Sequence, residues 1–127
     1  MRVIAMIKAT PASEAGEPPS PRLLEDMARY NAELVRAGVM LAGEGLHPSR
    51  RGVRLHFEGG APRVTDGPFA HTRELLAGFW LWQVRSIEEA IEWARRCPNP
   101  HHEPCEIEIR PVLEADEFSD ESSPRAA

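Results

Sequence analysis

LLAGFWLWQV, residues 75–84, is the most apolar run in the chain, and both of its alternating sets of side chains are hydrophobic. Successive side chains of a strand point to opposite faces, so Phe79 faces away from Trp80 and Trp82. A run apolar on both sides suits a central strand covered front and back. RVIAMIK, residues 2–8, has the same character and predicts a second central strand.

The flanks fill in the order of elements. Downstream, Ser86 and Glu89 form the S-x-x-E spacing of a capping box. It opens a helix with Ile87, Ala90, Ile91 and Ala94 facing the core, Arg95 and Arg96 at its negative end, and Pro98 as its stop. CEIEIRPVL, 105–113, predicts a last strand. Upstream, DGPFAHTRE, 66–74, reads as irregular or one helical turn. Before it, residues 52–58 alternate, with Val53, Leu55 and Phe57 on one face and Arg54, His56 and Glu58 on the other. Gly59-Gly60 marks a hairpin and PRVT, 62–65, its return strand. VMLAGEGL, 39–46, predicts a strand ending in Gly43-Glu44-Gly45. Ser20 as N-cap and Pro21 at the first helical position start a helix whose stripe is Leu23, Leu24, Met27, Tyr30, Leu34 and Val35, closed by Gly38. Residues 9–19, with three prolines and Gly16, read as a loop.

The order is β-α-β-(hairpin)-β-α-β. It predicts an α+β class domain: a ferredoxin-like antiparallel sheet with two helices on one face and an inserted β-hairpin. Two helices cover one face only. Leaving the large side chains of the other face wet would forgo about 1.5–3 kcal/mol each. A second copy of the sheet is the simplest cover, so a homodimer, closing a dimeric α/β barrel, is expected.

The chain has 127 residues and suits one domain, placed at 1–114. The acidic, Ser-rich segment 115–127 is expected to be a disordered tail. The net charge is −5, so nucleic acid is not an expected partner. No apolar run reaches the roughly 18 residues of a membrane span. The run VIAMI is too short for the core of a signal peptide and Lys8 follows it at once, so the expected compartment is cytoplasmic. Two cysteines do not make a disulfide framework.

TDGPFAHTRELLAGFWLW, 65–82, resembles the YCII-related proteins of the DGPF branch, whose signature is similar to DGPF-[AST]-E-T-K-E followed by a Gly-aromatic strand. Asp66, Gly67, Pro68, Phe69, Thr72, Glu74 and Gly78 match it; Arg73 replaces Lys, and His71 stands where Glu is common. The stretches 42–49, 88–100 and 106–114 also resemble this branch. The resemblance implies the dimeric α/β-barrel fold and a bacterial protein. The wider superfamily includes monooxygenases, isomerases and lyases acting on small organic molecules. It further implies a His–Asp pair with its His on the first helix, but no His stands between 20 and 38. DGPF proteins also resemble companions of extracytoplasmic-function sigma factors, which implies a sigma factor as an alternative partner.

Asp66 is the leading candidate for chemistry, on a turn that Gly67 and Pro68 make rigid. It reads either as an acid–base carboxylate beside Phe69 and Trp80, or as an Asx-turn cap accepting backbone N–H groups. Glu44, between two glycines, and Glu74 are its candidate partners, or else surface charges pairing with Arg73. His47 is the candidate imidazole, or a solvent-facing strand-end His. Trp80, Phe69 and Tyr30 are candidate substrate contacts, with core packing as the competing reading. Cys97, His101, His102 and Cys105 make C-x3-H-H-x2-C, which departs from zinc spacing, so no metal and no cofactor is expected. The functional expectation is a cofactor-independent, lyase- or isomerase-like enzyme for a small-molecule ligand; the alternative is a non-catalytic sensing or interaction module.

Overall fold

The computed structural model describes residues 1–118. Its strands are β1 (Arg2–Lys8), β2 (Met40–Gly45), β3 (Val53–His56), β4 (Arg63–Asp66), β5 (Leu76–Gln83) and β6 (Ile107–Pro111). Its helices are α1 (Pro11–Glu14), α2 (Pro21–Arg36) and α3 (Ile87–Arg95). β2, β5, β1 and β6 form one antiparallel sheet in that order, while β3 and β4 pair as a separate ribbon. With the ribbon set aside this is the ferredoxin-like order. The two apolar runs, β1 and β5, are the inner strands, as their two-sided hydrophobicity requires.

The register assigns the faces. Gly43, Trp80, Ala5 and Ile109 lie in one row across the sheet, and Met40, Trp82, Val3 and Pro111 in another. This face carries the core, with Val3, Ala5, Trp80 and Trp82 packed against Tyr30, Leu34 and Ala90 of the helices. Val3, Leu34 and Trp82 are fully buried, each side chain gaining about 1.5–3 kcal/mol over an exposed position. The opposite face carries the rows Ala42, Leu81, Ile4, Arg110 and Glu44, Phe79, Met6, Glu108. Its apolar members are only half-buried, so one side of the sheet lacks a cover among the described residues.

Local structure differs from the sequence expectation in several places. Residues 9–19 are not all loop. Thr10 accepts the Ser13 N–H and Ser13 returns the bond to the Thr10 N–H, a capping box that makes α1. Leu24 and Val35 do not join the buried stripe of α2; they are 57% and 62% exposed. Ser20 does cap α2, accepting the Leu23 N–H at 3.1 Å. At α3, Ser86 accepts the Glu89 N–H at 3.2 Å, but the Glu89 carboxylate takes the Arg85 N–H at 2.7 Å, not that of Ser86. Past residue 114 the chain continues in one 3-10 turn, Ala115–Glu117. The rest of the expected tail, 119–127, lies outside the described residues. No helix among the described residues is long and apolar enough to cross a membrane.

Candidate functional site

Of the four candidate acid–base residues, Glu74 lines a cavity whose wall does not include Asp66, Glu44 or His47. Glu74 closes a 3-10 turn, Thr72–Glu74, directly before β5. It lines a cavity of about 720 Å³ together with Lys8, Thr10, His71, Arg73 and Glu106. The antiparallel pairing explains the grouping: the end of β1 must meet the beginnings of both β5 and β6. His71 enters the turn with φ 62°, in the left-handed region that a side chain rarely adopts. Lys8 also reaches Glu108 on β6 at 3.2 Å.

Asp66 is the last residue of β4, paired with Val53 and exposed. It does not line the cavity. The glycine after it serves close approach: a Cβ on Gly67 would fall 1.8 Å from the Ser49 carbonyl oxygen. The turn is held by bonds from outside itself. The Ser49 hydroxyl accepts the Phe69 N–H at 3.0 Å, and Gly67 donates to the Gly52 carbonyl at 2.9 Å. Glu14 of α1 accepts the Ser49 N–H at 2.8 Å. The Phe69 ring lies 4.0 Å beneath the Arg54 guanidinium, a cation–π contact with the ribbon.

Glu44 pairs with Phe79 across β2 and β5, on the uncovered face and away from the cavity. His47 is exposed and receives a hydrogen bond from Arg51 at 2.9 Å. Trp80 and Tyr30 lie in the core. The Trp80 indole donates to Asn31 Oδ1 at 2.9 Å and meets the Tyr30 ring edge-on at 5.7 Å. The Tyr30 hydroxyl donates to the Trp93 carbonyl at 2.6 Å, tying α2 to α3, and burial raises its pKa above the ordinary phenol value. Trp80 also explains Gly43, where a Cβ would stand 2.7 Å from the indole Cδ1.

Cys97 and Cys105 line one cavity, while His101 and His102 bond elsewhere. Cys97 bonds the Pro98 carbonyl, Cys105 bonds Asn99, His101 donates to the Lys8 carbonyl at 2.9 Å, and His102 meets the Ser20 hydroxyl at 3.0 Å. Burial pushes the Cys97 thiol up to about 12. Among the described residues no group of three or more His, Cys, Asp or Glu side chains could hold a metal ion.

Among the cavity residues, sequence reasoning gave no site role to Lys8, Thr10 or Glu106. Their grouping depends on which strand ends adjoin, which no local pattern encodes. The Glu14–Ser49 contact was equally silent, although the T-P-x-S spacing at 10–13 signals the helical turn that presents Glu14.

The YCII-related domain, as a family, matches residues 1–116 of this chain. An uncharacterized protein of Rhizobium meliloti (strain 1021) is 33% identical over 91 residues, which cover 72% of this chain and 73% of that protein. The ferredoxin-like order, the DGPF turn and a match spanning almost the whole chain agree: the protein belongs to the YCII-related family.

Proposed function

We propose that the protein is a cofactor-independent enzyme that moves a proton on a small organic molecule, with Glu74 as its acid–base residue. The observation that carries this reading is the place of Glu74 on the wall of the cavity it shares with Lys8, His71 and Arg73. A positioned carboxylate gives or takes a proton, and cations beside it hold an anionic group or stabilise charge that develops during reaction. A volume of about 720 Å³ suits a small ligand. Asp66 and His47 stand off this wall, so the acid–base role passes from Asp66 to Glu74.

The working unit in this proposal is a homodimer. Ile4, Met6, Phe79 and Leu81 crowd the uncovered face, and a second sheet laid on it at about 10 Å would exclude water from both. Closing a dimeric α/β barrel in this way would also enclose Glu44. The two free thiols, Cys97 and Cys105, suit a reducing compartment, the cytoplasm.

A thermal-shift screen of small carboxylic acids, ketones and phenols tests the reading. Ligands that stabilise the native protein should lose their effect with Glu74→Gln and keep it with Asp66→Asn. Hits that Glu74→Gln leaves unchanged would remove Glu74 from the site. Binding without turnover of any hit would favour the sensing role instead.

A further inference from the structure

The β3–β4 ribbon leaves its apolar side exposed among the described residues. Val53 pairs with Asp66 and Leu55 with Val64, while Arg54 pairs with Thr65 and His56 with Arg63. Residues directly opposite each other share a face, so Val53, Leu55, Val64 and Asp66 form one side and the polar residues the other. On the polar side Arg54 lies over the Phe69 ring at 4.0 Å, and the residues of both strands are exposed. The apolar side is open: Val53 is 57% exposed, Leu55 51%, Val64 60%, and Phe57, just past the end of β3, 75%. A two-stranded ribbon is marginal in water unless something packs on its apolar side.

We infer that this apolar side docks on a second copy of the chain, as an arm that extends the dimer interface. The inference rests on the homodimer proposed above. Together the four side chains expose on the order of 400 Å² of apolar surface, the size of the largest patch on a typical monomer, which is often functional. A stable interface takes about 800 Å² from each partner, so the ribbon supplies about half and is too small to hold a partner by itself. The uncovered sheet face supplies the remainder. Residues 119–127, SDESSPRAA, contain no large apolar side chain and do not suit the task. Asp66 lies on the docking side, so dimerisation brings the DGPF turn to the subunit boundary.

Sedimentation velocity over a concentration series tests the arm, with circular dichroism to confirm folding. The native chain is expected to be a dimer. The double variant Leu55→Asp/Phe57→Asp should weaken dimerisation about 100-fold, as loss of a buried anchor does. Leu24→Asp, on a side chain of α2 that is also 57% exposed, should change it less than about 3-fold. If the aspartates prevent folding, Leu55→Ser/Phe57→Ser should show the same direction of change. A native chain that stays monomeric overturns the homodimer and the arm together. A dimer that the double variant leaves intact, or that Leu24→Asp weakens equally, overturns the arm alone and leaves the sheet-face dimer standing.

Discussion

Glu14 accepts the Ser49 N–H at 2.8 Å and also the Ser49 hydroxyl proton, joining α1 to the loop that follows β2. The same hydroxyl oxygen accepts the Phe69 N–H. One serine therefore links three segments distant in sequence, and the DGPF turn takes its position from them.

Two substitutions at this junction have different expected costs. Ser49→Ala leaves the Phe69 N–H and the Glu14 carboxylate short of partners, and should cost about 1–3 kcal/mol by urea denaturation. Gly67→Ala forces a methyl group into the Ser49 carbonyl, a backbone atom that no rotamer change can move aside. Its cost should exceed that of Ser49→Ala and lie above about 3 kcal/mol. Equal midpoints for the native protein and Gly67→Ala would contradict the close approach.

His71 stores strain beside the cavity. A side chain in the left-handed region costs about 1–2 kcal/mol, and glycine avoids it. His71→Gly should therefore gain about 1 kcal/mol of stability, less some unfolded-state entropy, and weaken ligand binding at the Glu74 cavity. Greater stability with undiminished binding would make the strain incidental to the site.

Loss of stability in acid is expected from one ion pair. Arg2 donates from Nε to Glu114 at 3.0 Å and from Nη2 at 2.6 Å, and these bonds hold the carboxyl below its ordinary pKa. A carboxyl with a lowered folded-state pKa adds stability above its unfolded value of about 4.3, and loses it as pH falls through the folded value. Glu114→Gln should flatten the loss of stability between neutral and acidic pH, with the largest difference from the native protein at neutral pH. Urea midpoints measured from pH 7 down to pH 3 check this.

Strand and helix identity was legible in the sequence where a local rule applies. The two-sided apolar runs at 2–8 and 75–84 placed β1 and β5 at the centre of the sheet, because only a doubly covered strand gains from such a pattern. Ser20-Pro21 and Ser86 marked helix starts, because an N-cap bonds within one turn. Alternation at 52–58 correctly separated an apolar from a polar side. That pattern does not say what either side touches, and only the tertiary structure set Arg54 of the polar side over the Phe69 ring.

The site depended almost wholly on tertiary structure. The sequence puts Asp66 first, with Glu44 and Glu74 as its partners and His47 as the imidazole, yet of these four Glu74 is the one on the cavity wall, because that wall is built where the end of β1 meets the starts of β5 and β6. Gly67 read as backbone freedom, whereas the physical need is room for the Ser49 carbonyl. Local patterning, through hydrophobic alternation and capping, determined which segments became strands and helices. Which side chains meet was decided by strand order and register, since those contacts join residues far apart in the chain.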